Sequence, residues 1–307
     1  MTNVLKDLEL IWNKVVTMNL YNPFVAKMAM PLNSELSGRG IGQTTYKGIA
    51  YASGYGGRTS FSLEMDYEVP ELTQVNYSVP KQFSSRVMRR DIYESFLLDG
   101  IPIGTDLAIQ MMNEIQQQQN ATVLIGWTPD GTNYAVLGMY NVANNTYGAS
   151  GSFGTYGNAL KAVSNAIGLL NADNIYSDDG YNMFLNPVEK TKILASHSTV
   201  GTPEYGQVID LLNVDVASGG KPGKIISSPN ITAGTGMICP TATPGNRKYF
   251  ELIEPQVPYN NLWYVDGNSK DGDIRCRQVA SLFPTFKHLS ESVANKDDCI
   301  CTLTSIA

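Results

Sequence analysis

The sequence predicts an α+β fold, on three observations. Helical and extended patterns are mixed without a regular βαβ rhythm. One segment, residues 60–67, alternates polar and apolar side chains strictly, as a half-buried antiparallel strand does. Five strand patterns (KIISSPNI, GMICPTA, RKYFELI, IRCRQVASLF and CICTLTSI) crowd residues 224–306. At 307 residues the chain can bury a large core without help from disulfides or metals. Only 16% of residues are charged, against roughly 25% in ordinary soluble domains, which excludes a long disordered or coiled-coil protein. Lys+Arg 22 against Asp+Glu 28 gives a net charge of −6, the wrong sign for a surface that grips nucleic acid sequence-specifically.

Taken in order, residues 5–20 set Leu5, Leu8, Trp12 and Val15 at helical spacing, with Lys6, Asp7, Glu9 and Lys14 between them. That is a short amphipathic helix. A loop rich in Pro, Asn and Gly follows from about Asn22 to Gln43. TYKGIAYA, the turn SGYGG and RTSFSLEMDY then read as a β-hairpin over 45–67. Its second arm carries Phe61, Leu63, Met65 and Tyr67 on one face, and Tyr46 or Ile49 and Tyr51 are available opposite. A further strand alternates Thr73, Val75, Tyr77 and Val79 and stops at Pro80.

Residues 86–98 read as a helix with Val87, Ile92, Phe96 and Leu97 as apolar contacts. A longer helix runs from about Gly104 to Gln119, capped by Thr105 or Asp106, with a stripe of Leu107, Ala108, Met111, Met112 and Ile115. Gln116–Gln119 read as its solvated face, and ATVLIGW and YAVLGMYN as the strands after it. Residues 141–158, rich in Asn, Gly, Ser and Tyr, read as a linker or surface loop. A helix from Gly157 presents Leu160, Val163, Ile167 and Leu170; MFLNP is a strand, 188–195 a helix and 205–213 another.

Catalytic signals are sparse. Cys239, Cys276, Cys299 and Cys301 form no CxxC pair, and His197 and His288 are isolated, so no metal-ligand spacing exists and no metal or cofactor is expected. GRGIG (38–42) lacks the strand before and the helix after that a dinucleotide loop needs. Gly151, Gly154 and Gly157 do precede a helix, whose N-terminus can hold an anion, but no P-loop Lys-Ser/Thr pair follows. DGNSKDGD (266–273) fails as a calcium loop, with Lys270, Asp271 and Arg277 at three ligand or turn positions. Neither histidine sits in a hydrolase motif, and the adjacent pairs Asp178/Asp179 and Asp297/Asp298 need not converge as an acid and base must. Arg86, Arg89 and Arg90 form the one dense basic cluster, read as a solvated face or a salt-bridge cluster. No run reaches the roughly 18 apolar residues of a membrane-spanning helix, so no membrane partner is expected. The N-terminus lacks a signal-peptide pattern, and the sequons at Asn76, Asn120, Asn144 and Asn230 read as chance.

A lone two-stranded hairpin is marginal in water. Burying about six large apolar side chains on this one contributes on the order of 10 kcal/mol as an upper limit. The 45–67 hairpin therefore needs a cover, from its own domain or from a neighbouring subunit.

The order of elements resembles the Hong Kong 97-type major capsid proteins of tailed double-stranded DNA viruses, a fold shared by encapsulin shells. The resemblance rests on the hairpin, the strand ending VP, the long helix leading to VLIG, then VLGMYN, a Gly-rich break, a helix, FLNP and the terminal strands. It implies an N-terminal arm and helix (1–43), an extended β-hairpin loop (44–70) and a peripheral domain with a long spine helix (71–139). An axial domain (140–255) and return strands to the peripheral domain (256–307) complete it. The implied function is a non-enzymatic shell protein that assembles with itself into hexamers and pentamers of an icosahedral capsid around double-stranded DNA, located in the virion and assembled in the host cytoplasm. Contacts between subunits would come from Tyr46, Lys47, Ile49, Tyr51, Phe61, Leu63, Met65 and Tyr67 of the extended loop and from Leu5, Leu8, Trp12 and Val15 of the N-terminal helix. Portal, scaffolding or decoration proteins are further partners the resemblance implies, with packaged DNA held without sequence-specific binding. Some members crosslink a loop lysine to a neighbour's asparagine; Lys47 is the only lysine in this hairpin, with no partner identified. The alternatives are an encapsulin-like compartment around a cargo protein and, from another class, an α+β hydrolase or ligand-binding protein dependent on His197 or His288.

Overall fold

The computed structural model describes residues 25–35, 45–51, 72–98, 103–128, 135–149, 151–214, 216, 220–264, 274–287 and 296–306. In chain order these form α1 (Val25–Ala29), β1 (Thr45–Tyr51), β2 (Leu72–Ser78), β3 (Gln82–Met88), α2 (Arg90–Leu98) and α3 (Ile103–Leu124). Two short strands, β4 (Gly126–Trp127) and β5 (Val136–Leu137), precede α4 (Met139–Val142) and β6 (Ala143–Gly148). Then come α5 (Asn158–Ala172), β7 (Tyr181–Leu185), α6 (Pro187–Ala195), α7 (Glu204–Leu212), β8 (Ile225–Ser227) and β9 (Gly236–Pro240). The chain closes with β10 (Phe250–Tyr264), β11 (Ile274–Phe286) and β12 (Asp297–Thr304).

The larger sheet has the order β6-β12-β9-β7-β8. β12 runs parallel to β6 and β7 parallel to β8, while β9 is antiparallel to both β12 and β7. A strand inside such a sheet is covered on both faces and reads as a continuous apolar run. All five residues of β7 and of β9 are buried accordingly, and so are Cys299, Ile300, Cys301 and Leu303 of β12. α5 contributes Ala159, Ala162, Val163, Ala166, Ile167 and Leu170 to the same core. α6 starts at Asn186, whose side chain accepts from the Val188 N–H at 3.0 Å just before Pro187 at N1.

The smaller sheet has the order β10-β11-β3, all antiparallel, with α3 packed along it. Its ladder continues past the last β3–β11 pair through a side chain: Gln82 Nε2 donates to the Leu282 carbonyl at 2.9 Å and Gln82 Oε1 accepts from the Leu282 N–H at 3.0 Å. The β10–β11 register shifts twice, between Ile253 and Gln256 and between Gln256 and Tyr259, around Pro255 and Pro258. Proline removes a ladder donor, so irregular pairing falls there. β1 and β2 form a separate antiparallel ribbon, from Thr45↔Ser78 to Tyr51↔Leu72.

Several expectations change. The loop expected at 22–43 contains α1, whose residues Val25, Ala26 and Ala29 are buried. This segment clips onto both sheets: Ala26 N–H donates to Asn120 Oδ1 at 2.9 Å, Lys27 pairs with Glu254 at 2.8 Å, and Asn182 donates to the Met28 carbonyl at 3.3 Å. Residues 86–88 belong to strand β3, and the helix starts only at Arg90. ATVL is the last turn of α3, because residues 122–124 sit on the buried side of a continuing helix. That helix begins at Ile103, so Thr105 and Asp106 lie inside its first turn, and Gln119 is 2% exposed rather than solvated. The linker expected at 141–158 contains β6, its polar residues bonded: Asn144 donates to Asp298 at 2.7 Å and Asn145 to Asp173 at 2.6 Å. Finally, the return strands part company. β10 and β11 join the sheet of β3, but β12 inserts between β6 and β9, so the C-terminal strand belongs with the expected axial region.

Candidate functional site

The smaller sheet carries an unusual distribution of side chains. Antiparallel sheets covered on one face normally turn apolar residues inward and polar ones to water. Here several inward positions are polar, beside the buried Ala280 and Leu282: Gln82 and Ser84 are each 4% exposed and Gln278 is 0% exposed. Ser84 Oγ donates to Glu114 Oε2 of α3 at 2.6 Å, and Gln278 Nε2 meets the Met112 sulfur at 3.6 Å. The other face mixes apolar side chains with Ser85 and Arg277. Phe83 is 52% and Val87 59% exposed, and the Arg277 guanidinium lies 5.5 Å from the Phe83 ring centroid. Register sets Val279 opposite Phe83 and Arg277 opposite Ser85 on that face. Large exposed apolar side chains gathered on one sheet face mark an interaction surface.

The β1–β2 ribbon pairs with neither larger sheet. β2 is the partner that β1 acquires, Lys47 lying opposite Asn76 and Ile49 opposite Gln74. The arm with Phe61, Leu63, Met65 and Tyr67 lies outside the described residues, as do Leu5, Leu8, Trp12 and Val15. Tyr46, Lys47, Ile49 and Tyr51 all fall on β1.

The arginine cluster is dispersed. Arg86, on β3, pairs with Glu114; Arg89 pairs with Asp91 at 2.6 Å; Arg90 pairs with Glu94 one turn on at 2.7 Å. Each guanidinium meets a carboxylate of its own chain, which leaves a neutralised surface rather than a phosphate-binding one.

The candidate chemical groups are engaged elsewhere. His197 is exposed and its Nδ1 contacts the Ala195 carbonyl at 2.8 Å; His288, the GRGIG segment and the 266–273 loop lie outside the described residues. Cys239, Cys299 and Cys301 are buried thiols. Burial pushes Cys239 and Cys299 far up, and pushes Cys301 up to about 12, which leaves them as un-ionised packing groups. Asp179 accepts from Thr243, and Asp297 accepts from the Cys299 N–H at 2.8 Å, so both acids brace turns and strand ends. No group of three or more His, Cys, Asp and Glu that could hold a metal occurs among the described residues. No described helix is long and apolar enough to cross a membrane. The anion site at Gly157 is filled internally, by the Glu204 carboxylate.

No family model and no curated protein sequence matches the chain. Solved structures do. The capsid of Myoviridae phage XM1 matches with a TM-score of 0.60 at 11% identity, over 90% of this chain and 89% of that one. The capsid of a native GTA particle matches with a TM-score of 0.57 at 11% identity, over 89% of each chain. It has the Hong Kong 97-type capsid fold. A virus-like particle from Pyrococcus furiosus matches with a TM-score of 0.55 at 13% identity, over 97% of this chain and 98% of that one. Identity this low carries the backbone arrangement of the Hong Kong 97-type fold and not its side chains. The Phe83–Arg277 face has no sequence signal because the pattern over 86–98 predicts a helix; Gln82, Ser84 and Phe83, Val87 only sort into faces once 82–88 is a strand.

Proposed function

We propose that this chain is the major capsid protein of a tailed virus, assembling with itself into hexamers and pentamers of an icosahedral shell around double-stranded DNA. The observation that carries this reading is the outer face of the three-stranded sheet, where Phe83 and Val87 stand more than half exposed beside Arg277. The β1–β2 ribbon supports it, since two strands alone are marginal and this pair joins no other described sheet. Together with a fold found in shells, these features describe a subunit completed by its neighbours. The ribbon and the 61–67 arm of one copy would cover the Phe83 face of the next, and Leu5, Leu8, Trp12 and Val15 would run along an adjoining copy. Portal, scaffolding and decoration proteins would be its other partners, and the virion its location after assembly in the host cytoplasm. The role is structural. Its acidic balance and self-paired arginines suit a genome enclosed without base contacts.

The near-complete match with the Pyrococcus furiosus particle favours, as a second reading, a compartment enclosing a cargo protein. Electron microscopy and sedimentation of the purified chain test both. Closed shells are expected, and a monomer at high concentration refutes both readings. Packaged DNA in particles isolated from their source supports the first reading; a single co-purifying protein supports the second.

A further inference from the structure

Whatever covers Phe83 must also cover a charge. The Arg277 guanidinium lies 5.5 Å from the Phe83 ring centroid, a distance at which the cation is drawn to the ring face. Arg86, Arg89, Arg90 and Arg247 each meet a carboxylate of their own chain. Arg277 is exposed and meets none among the described residues. The register sets Arg275 on the same face, opposite Val87 of β3 and Trp263 of β10. Among the described residues, no acid occupies that face in the paired rows from Phe83 to Val87.

Burying an unpaired guanidinium outweighs what the apolar side chains beside it would gain. The cover therefore has to bring a carboxylate. Segment 52–71, which joins β1 to β2, has that chemistry: Glu64, Asp66, Glu68 and Glu71 stand against one base, Arg58. No other segment outside the described residues carries so large a net charge. Glu64 and Asp66 alternate with the apolar residues of 61–67, so a strand that turns Phe61 and Leu63 onto Phe83 turns these two acids away. Glu68 and Glu71 stand past that strand, on either side of Val69 and Pro70, where the alternation ends. The segment leaves the ribbon at Tyr51 and re-enters it at Leu72, whereas the opposite end, Ser78, leads into β3. Seven paired residues set the two ends roughly 20 Å apart. The segment thus begins at the end remote from its own β3, and a second copy is the fitting donor.

We infer that Arg277 selects the partner at this face, pairing with Glu68 or Glu71 of a second copy whose arm covers Phe83 and Val87. The inference rests on the shell reading and adds to it the charged groups that make the contact specific. Apolar groups alone would accept any apolar ribbon; an arginine that needs an acid rejects those without one. Arginine beside aromatic rings is also the composition that dominates binding at the centre of protein interfaces.

Charge exchange tests this, with shells counted by electron microscopy and the unassembled chain followed by thermal melting. Arg277→Glu is expected to abolish closed shells, and so is the double variant Glu68→Lys with Glu71→Lys. All three substitutions in one chain are expected to restore them. Each unassembled chain is expected to melt within about 2 °C of wild type, because exposed positions contribute little to a single copy. Should the lysine variant fail to fold, Glu68→Gln with Glu71→Gln in the Arg277→Glu background takes its place, and partial recovery of shells is expected. Wild-type shells accompanied by Arg277→Glu shells of the same yield overturn the ion pair alone. Loss on both sides without recovery in the combined variant overturns the assignment to Glu68 and Glu71. A melting temperature lowered in unassembled Arg277→Glu and recovered in the combined variant puts the pair within one copy and overturns the second-copy donor. A wild-type chain that stays monomeric overturns the shell reading and the ion pair with it.

Discussion

The five-stranded sheet and the three-stranded sheet bury different kinds of side chain. The first closes over Met183, Phe184, Ile238 and Ile300, with α5 packed on it, and hides almost all of its apolar surface within one chain. The second also buries Leu252, Leu282 and Phe283, but it sets Gln82, Ser84 and Gln278 inside and leaves Phe83 and Val87 outside. Apolar burial is the main source of stability available to a chain, and only the first sheet uses it fully. The three-stranded sheet therefore leaves more of its own apolar side chains to solvent.

That contrast can be broken by substitution. At neutral pH the largest effect on the lone chain is expected from Phe184→Ala, at a fully buried position of β7: a loss of about 3–5 kcal/mol in denaturant unfolding. If it costs no more than a surface change, the five-stranded sheet is not the stable region. Next comes alkaline pH. Buried thiols with raised values keep their protons in the folded state, while the unfolded chain releases them from roughly pH 8.5 upward. Stability should be complete below that value and decline by about 1.4 kcal/mol per unit for each such thiol. For Cys301 the decline continues until pH approaches about 12. Urea unfolding at pH 8 and pH 10 reads this, and equal stabilities would contradict the burial of Cys239, Cys299 and Cys301.

The smaller effects fall on the three-stranded sheet. Gln278 Oε1 is buried without a hydrogen-bond partner, so Gln278→Leu is expected to be stabilising by about 1 kcal/mol in the same unfolding experiment. A destabilisation of that size would show that the amide is better satisfied than its geometry allows. Phe83→Ser, on the half-exposed outer face, is expected to alter monomer stability by no more than about 0.5 kcal/mol. It is expected to abolish shell formation in the microscope. Normal shells from this variant would remove the outer face from the assembly surface.

Legibility followed the same divide. α5, β7, α6, α7 and β9 were readable because each is apolar at a regular period and bounded by Pro, Gly or Asn, as in FLNP, where Asn186 caps and Pro187 opens α6. β3 was not. QFSSRVM places a polar residue inward at 82 and 84 and an apolar one outward at 83 and 87, the reverse of the pattern that identifies a half-buried strand. β6 failed for a related reason: ANNTYG has loop composition, and its asparagines bond Asp173 and Asp298, far away in sequence. The VL of ATVL was ambiguous because a short apolar run fits a strand or the buried side of a helix equally well. Glu204 is an unremarkable helix-start residue until α5 is brought against it.

The sequence by itself determined the α+β class, most element positions and the lack of a catalytic motif, because these depend on local period, capping and turn chemistry. Tertiary structure alone decided that β12 inserts between β6 and β9, that Arg86 of β3 meets Glu114 of α3, and which face of the three-stranded sheet is left bare. Those outcomes depend on pairs of residues distant along the chain, whose meeting no local pattern encodes.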